Sequence, residues 1–402
     1  MRYASISDRL SGLGSHKWAV HIEGRKRMAA GQDLIMLSIG EPDLPPPAAV
    51  LEAAVESMLG GRTRYAEGQG ERIVRRAIAA MMTRRSGLDV SFQDVVVMSG
   101  TQHAVHAVLT TLVEAGDDVL VPDPFYATYD GVVAATGARF AAVQTLPEDG
   151  FHLTAAALER AITPHSKALL LNTPSNPTGA VLSAVELDAI GEVCRRLELW
   201  IVCDEVYATM TYGVPFASPF DRPQLRERSV SVASISKSHA LPGFRCGWAV
   251  CPPELTPRLT LVVETMLFGS QPFLADATAV ALNIEHPEVA TLRDTFLARA
   301  EAVLAALDGA AGVRTHLPEG GMFMFLDIRP TGLTGTDFAW RLLDEQRVVV
   351  MPGESFGPGG AGHVRVALTV DAEVLTEACG RIVAFADALA AEAARAGGEA
   401  LE

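Results

Sequence analysis

The sequence predicts an α/β protein built on a mostly parallel sheet, and three observations predict it. Between residues 48 and 287, short β-branched runs alternate with longer stretches of helical periodicity, the pattern of strands joined by covering helices. The runs read as apolar on both faces, as strands buried between two helical layers must be. Several end on a polar cluster, and open α/β sheets bind ligands outside the carboxyl ends of their strands. At 402 residues the chain exceeds what one compact core usually supports. The expected division is a large α/β domain over 48–287 and a smaller α+β domain made of 1–47 and 288–402.

In chain order the expected strands are DVVVMSG (94–100), DVLVPD (118–123), ARFAAVQ (138–144), KALLLNTP (167–174), LWIVCDE (199–205), SVSVASIS (229–236) and GWAVCP (247–252). Beyond 287 the pattern changes to an Ala- and Arg-rich helix over 288–308. Strands near 322–328, 347–351 and 363–369 follow, then a final Ala-rich helix whose AAEAARAGGEALE tail is expected to fray. The segment through Pro47, with its EPDLPPP connector, is expected to pack on the smaller domain.

Composition narrows the function. About half of the residues are apolar and one-fifth charged, the balance of a globular protein. A net charge of −15 argues against nucleic acid or an anionic membrane surface as partner, because that affinity comes from basic residues that neutralise phosphates. A small anionic ligand then needs locally placed arginines or backbone N–H groups. Five cysteines, odd in number and without a CxxC pair, argue against a disulfide framework or structural zinc and read as buried thiols. The first fourteen residues carry no apolar core, and no run approaches the roughly 18–20 apolar residues of a membrane span. A cytoplasmic location is expected.

Four stretches carry chemistry. In Ser234-Ile235-Ser236-Lys237-Ser238-His239, a lysine follows a strand among small hydroxyl residues, in a chain with four lysines whose basic residues are otherwise arginine. Only an amine forms a Schiff base with an aldehyde cofactor. Ser234 and Arg245 offer phosphate donors nearby. In Asp204-Glu205-Val206-Tyr207, an acid ends a very apolar strand and needs a cationic partner, which a protonated pyridine nitrogen supplies; a helix cap or an ion pair is the alternative. Asn172-Thr173-Pro174-Ser175-Asn176-Pro177-Thr178-Gly179 is a constrained loop whose asparagines suit a phenolate oxygen or a carboxylate. Ser99-Gly100-Thr101-Gln102-His103 passes from a strand into a helix whose free N–H groups suit a phosphate.

Two further residues stand out. Arg365, within the strand pattern HVRVALTV, needs a carboxylate, from a substrate or from a structural ion pair. Tyr126, after a strand, suits the face of a heteroaromatic ring or plain core packing.

Together and in this order, these stretches resemble the class I/II aminotransferases, pyridoxal 5′-phosphate (PLP) enzymes of fold type I. The resemblance runs from Leu37-Ser38-Ile39-Gly40-Glu41-Pro42-Asp43 to Arg365. It implies that Lys237 holds the cofactor as a Schiff base and shuttles the proton, and that Asp204 pairs the pyridine nitrogen. It also implies that Asn176 and Tyr207 bond the ring phenolate and that Tyr126 stacks on the ring. Gly100, Thr101, Gln102, Ser234 and Arg245 are implied to hold the phosphate, and Gly40, Asn176 and Arg365 the substrate carboxylate. Tyr65 matches a position that reaches the phosphate of a neighbouring subunit, which implies a homodimer. No metal is implied. Cys246 and the Glu67-Gly68-Gln69-Gly70 segment depart from the family wording.

The implied reaction moves the α-amino group of an amino acid to a 2-oxo acid. Thr101 stands where aspartate-type relatives often carry a lysine for a second carboxylate. Wording such as Ser236-Lys237-Ser238-His239-Ala240, Gly320-Gly321-Met322-Phe323 and Asp327-Ile328-Arg329-Pro330 resembles arginine:pyruvate transaminases. A PLP-dependent β-lyase would use the same Lys237, Asp204 and Arg365, and an aspartate or aromatic transaminase is the nearer alternative. A PLP-binding regulatory module is the reading from another class, although no basic helix-turn-helix precedes residue 40. Gly353-Glu354-Ser355-Phe356-Gly357 fits G-x-S-x-G, but Pro358-Gly359-Gly360 follows it where a nucleophile elbow requires a helix. His103 and His106 share a helix face without a third metal ligand.

Overall fold

The computed structural model describes residues 3–399; Met1, Arg2 and residues 400–402 lie outside the described part. Its main sheet has seven strands: β2 (Val95–Met98), β3 (Asp118–Asp123), β4 (Arg139–Gln144), β5 (Ser166–Asn172), β6 (Trp200–Asp204), β7 (Ser229–Ser234) and β8 (Gly247–Val250). They lie in the order β2-β8-β7-β6-β5-β3-β4. β8 alone is antiparallel to its neighbours, which makes this a mixed, mostly parallel α/β sheet. Val96, Val121, Leu170, Val202 and Val230 face one helical layer, while Leu120, Leu169, Leu171, Ile201 and Cys203 face another.

The chemistry of the strands explains their order. Each parallel strand delivers its carboxyl end to one edge of the sheet. β8 runs the other way, so its beginning arrives there: Gly247 pairs with Met98 and with Ser234. A Cβ on Gly247 would sit 2.6 Å from the Gly100 carbonyl carbon, so only glycine lets the two backbones approach. One expectation is corrected here. Residues 139–144 form the edge strand, with Arg139, Ala142 and Gln144 exposed, rather than a run buried on both faces.

Two smaller sheets complete the chain. β1 (Ile35–Met36) pairs in parallel with β10 (Val348–Val349). β9 (Phe323–Asp327), β11 (Met351–Pro352) and β12 (His363–Ala367) form an antiparallel sheet in the order β11-β12-β9. The expected single strand at 347–351 is thus two short ones, which exchange partners across Val350. Helix Pro287–Ala306 and helix Ala372–Glu399 cover these sheets, with Phe296, Val303, Ile382 and Phe385 in one apolar cluster with Val20, Leu34 and Leu37. The Ala-rich tail is helical as far as Glu399. The first helix, Ser5–Leu10, instead lies against helix Tyr129–Thr136, where Arg9 donates to the Ala134 carbonyl over 2.9 Å. All five cysteines are buried and free. No helix among the described residues is long and apolar enough to cross a membrane.

Candidate active site

A cavity of about 490 Å³ opens at the polar edge of the seven-stranded sheet and is closed on its far side by β9 and β12. Lys237, Asp204, Tyr207, Thr101, Gln102, Tyr126, Asn176, Ser234, Arg245, Gly40 and Arg365 all line it. Gly100 stands just behind, capping helix Thr101–Leu112 with φ of 86°, where a Cβ would lie 2.3 Å from the Arg245 guanidinium. Tyr65 lies outside, 90% exposed and edge-on to Phe268 at 6.0 Å.

The floor of the cavity is made by strand ends. Asp204 closes β6 fully buried. One carboxylate oxygen accepts from the Tyr129 hydroxyl at 2.8 Å and the other from the Val206 N–H at 3.1 Å. Burial pushes its carboxyl up to about 6 against these two stabilising bonds, and no cation lies within ion-pair distance among the described residues. A buried carboxylate without a cation is costly, so this one is kept ready for a positive partner. At the end of β5, Asn172 donates to the Asp204 carbonyl and accepts from the Asn176 N–H at 2.8 Å, which locks the following loop to the floor.

Ser234 ends β7 and caps the short helix Ile235–Ser238. Its hydroxyl accepts from the Ser236 N–H at 3.3 Å and from the Thr101 hydroxyl at 2.9 Å, joining two helix starts. Arg245, in left-handed backbone geometry at φ 49°, donates to the carbonyls of Pro242 and Ser99 and stands beside them. Free N–H groups, two hydroxyls and a guanidinium thus converge where an anion would be welcome.

Lys237 lies in that short helix and its amine donates to the Gly40 carbonyl. Burial lowers its pKa to about 8, with Glu41 and Asp204 acting in the opposite sense. A lysine so desolvated gives up its proton more readily than an exposed one, as a nucleophilic or basic amine must.

The opposite wall belongs to Arg365, 2% exposed in the middle of β12. Its guanidinium donates to Asn176 Oδ1 at 2.8 Å and to the Ser38 carbonyl at 2.6 Å, and lies over the rings of Phe323 and Phe356 at 4.1 and 4.6 Å. Nε has no partner, and burial lowers the pKa to about 10. No carboxylate pairs with it among the described residues. A buried arginine with neutral partners only is unfinished until an anion joins it.

Between the two walls runs residues 37–40, whose four carbonyls accept from four different partners. In order these are the Ala367 N–H, the Arg365 guanidinium, the Thr369 hydroxyl and the Lys237 amine.

Residues 32–382 match the family described as Aminotransferase class I and II. The chain belongs to the class I and II aminotransferase family. Among its relatives, the arginine–pyruvate transaminase AruH of Pseudomonas aeruginosa is 40% identical, over 98% of this chain and all of that protein. An aspartate aminotransferase of Geobacillus stearothermophilus is 31% identical over 92% of this chain and 96% of its own. The solved aspartate aminotransferase from Thermus thermophilus with maleate superposes with a TM-score of 0.90 at 30% identity, covering 96% of this chain and 100% of that one. The protein is therefore a PLP-dependent aminotransferase, of a family that acts on amino acids and 2-oxo acids.

The geometry of this aminotransferase also includes residues that sequence reasoning missed. Tyr129 holds Asp204; a second tyrosine at the start of the helix that follows Tyr126 was the available signal. Ser38 contributes only a carbonyl, which no residue type betrays. Glu205, read beside Asp204 as part of the same polar cluster, is not in the cavity: it bonds Arg85, Ser218 and Ser231 instead. Ser355 of the G-x-S-x-G segment is buried and donates to the Lys17 carbonyl, within a 3₁₀ turn that no helix continues.

Proposed function

We propose that this aminotransferase holds PLP at the sheet edge and moves the α-amino group of arginine to pyruvate. The observation that carries the reading is one cavity with a desolvated lysine, a buried cation-free carboxylate and a buried carboxylate-free arginine. The residues fit the cofactor. Asp204 has a charge without a cation, and the backbone at Gly100 leaves space that a side chain would fill.

In this reading Lys237 carries the cofactor, Asp204 faces the pyridinium, Asn176 and Tyr207 the ring oxygen, and Tyr126 the ring face. Gly100, Thr101, Gln102, Ser234 and Arg245 hold the phosphate. When bound, PLP supplies an electron sink for the charge that develops at the substrate α-carbon. The chain's residues do the rest. Arg365 and Asn176, with Gly40 beside them, orient the substrate carboxylate. Lys237 Nζ takes the α-proton and returns it, and the walls of β9 and β12 exclude water. The arginine assignment is supported by 40% identity to a transaminase of that name.

The molecule is read as a large domain over 48–287 and a small one of 1–47 with 288–402, supported by their separate sheets and apolar clusters. It is read as a homodimer in which Tyr65 reaches the other subunit's phosphate. Supporting this, Tyr65 and Phe268 are exposed together, beside exposed Met266 and Leu267. Free buried thiols suit a reducing cytoplasm.

Mixing the PLP enzyme with a panel of amino acids tests the reaction. Conversion of the cofactor to its amino form, fastest with arginine and reversed by pyruvate, is expected. Ammonia release without that conversion would make the protein a lyase.

A further inference from the structure

Arg365 and Asn176 face the substrate carboxylate, and behind Asn176 runs a chain of contacts that ends at a histidine outside the cavity. We propose that His152, set between Glu186 and Glu319, is a positioning residue for the carboxylate site, which binds best while both ring nitrogens of His152 donate. The inference rests on the carboxylate role proposed for Arg365 and Asn176.

His152 lies between β4 and helix Ala155–Ala161. Its Nδ1 is 2.7 Å from Glu186 Oε1 and its Nε2 is 2.9 Å from Glu319 Oε2. Both carboxylates are held from their other sides. Glu186, third residue of helix Ala184–Arg196, accepts from the Ser183 N–H at 2.7 Å and from the Ser183 hydroxyl at 2.6 Å. Glu319 Oε2 accepts from the Val181 N–H at 2.8 Å. An ionised carboxylate only accepts, so each ring nitrogen must donate to keep its bond. Only the imidazolium has two N–H groups; the neutral ring has one and turns a lone pair towards the other carboxylate.

The Glu319 end of this clasp reaches the site. The Tyr212 N–H donates to the Glu319 carbonyl at 2.7 Å, the Gly320 N–H to Gly179 at 3.0 Å and the Gly321 N–H to Met210 at 2.9 Å. Gly179 and Val181 end the loop that carries Asn176, whose Oδ1 accepts from Arg365. A Cβ on Gly179 would lie 2.5 Å from Pro318 Cβ, and one on Gly320 2.6 Å from the Met210 carbonyl oxygen, so this junction is closed backbone to backbone. On its other side, Gly321 leads within two residues to Phe323, over whose ring the Arg365 guanidinium lies. Two of the groups that place Arg365 thus diverge from the segment that His152 steadies.

The other titratable groups around His152 are few. His316 repels its charge, while Asp149 and Arg160 share a surface cleft with it. Burial opposes protonation of His152, and the bonds and charges of Glu186 and Glu319 more than offset it, so its pKa is raised. The clasp is therefore complete below the ordinary imidazole range and loses one bond as pH rises through the raised value.

The test uses the full-length PLP-loaded enzyme, with arginine as substrate and 5-guanidinopentanoate, which has no α-amine, as an unreactive carboxylate. In His152→Asn, whose short amide cannot span both carboxylates, KM and the calorimetric dissociation constant should rise together about three- to tenfold. The change in kcat should be far smaller. The ratio of variant to wild-type dissociation constants should shrink towards one as pH rises, because the wild type then loses the same contact. Nitrogen-15 NMR of histidine-labelled wild type, assigned against His152→Asn, should show two protonated ring nitrogens at pH 7. Their titration should coincide with the change in affinity. Glu319→Gln lets a neutral His152 keep both partners, since the amide NH₂ donates to the bare nitrogen, and should flatten that pH dependence. A singly protonated ring at pH 7, or a kcat that falls while affinity holds, would overturn the proposal. If Arg365→Gln leaves the dissociation constant unchanged, the carboxylate reading fails; if it weakens binding while His152→Asn does not, only the present inference fails.

Discussion

Asp204 and Glu205 are neighbours at the end of β6, yet they point to opposite sides of the seven-stranded sheet, as successive side chains there must, and they are held in opposite ways. Glu205 accepts from Arg85 at 2.6 Å, from Ser231 at 2.7 Å and from Ser218, while Arg85 also grips Asp221 at 2.8 Å. Asp204 has a tyrosine and one backbone N–H, and no cation. One region is electrostatically closed and serves the fold. The other is left open by one positive charge and faces the cavity. Burial alone does not separate structural from functional carboxylates; what does is whether the chain supplies the counter-charge.

The most severe way to break this contrast lies on the open side. Lys237→Ala should abolish transamination and the visible absorbance of the bound cofactor, read by spectroscopy after dialysis; a variant that keeps its cofactor covalently attached would remove Lys237 from its assigned role.

The paired substitutions Glu205→Gln and Asp204→Asn should then diverge. Glu205→Gln leaves Arg85 with Asp221 alone and weakens the bonds from Ser218 and Ser231, and should cost about 1.5–3 kcal/mol in urea unfolding. Asp204→Asn should lower kcat by about 10²–10³-fold while leaving the fold intact. Equal stability losses in the two variants would erase the distinction.

A pH series sharpens the same point in cofactor-free protein. Asp204 keeps its proton up to about pH 6 when folded, against about 3.9 when unfolded. Its contribution therefore favours the folded state most below pH 4 and is lost as pH rises through 6. At pH 7–8 the cofactor-free Asp204→Asn variant should be the more stable protein, by up to about 3 kcal/mol, and the difference should close towards pH 4.

The smallest effect belongs to Tyr129→Phe. Removing one donor should cost about 1 kcal/mol, lower kcat by a few-fold and move the acidic limb of the pH–rate profile upward, because a bond that favours the carboxylate is gone. Tyr129 positions Asp204, and a flat profile would make it a packing residue only.

How much of this was legible follows from where each residue sits. Asp204 and Ser234 were readable because they end apolar strands, and Lys237 because it follows one closely, where a polar residue has few structural reasons to be. Arg365 was readable because a guanidinium inside a strand demands an explanation. Arg245 was readable by its distance from Lys237, although its reason for being there, the reversed direction of β8, emerges only from the sheet order. Trp18 lines the same cavity without any local signal in the sequence, because the apolar cluster it packs against comes from residues more than a hundred positions away. The exchange of partners at Val350 and the exposed edge at 139–144 were hidden for a related reason: both depend on which strand lies alongside, and β propensity is silent about neighbours.

The ribbon of residues 37–40 also sets a length. The Ser38 carbonyl accepts from the Arg365 guanidinium, and the Gly40 carbonyl, two peptide units on, accepts from the Lys237 amine. The separation between the two cations is thus written into covalent backbone rather than into adjustable side chains. Substitutions along this stretch can alter its side chains and still leave both carbonyls where the two cations meet them, so the anchor is insulated from much of the sequence that carries it.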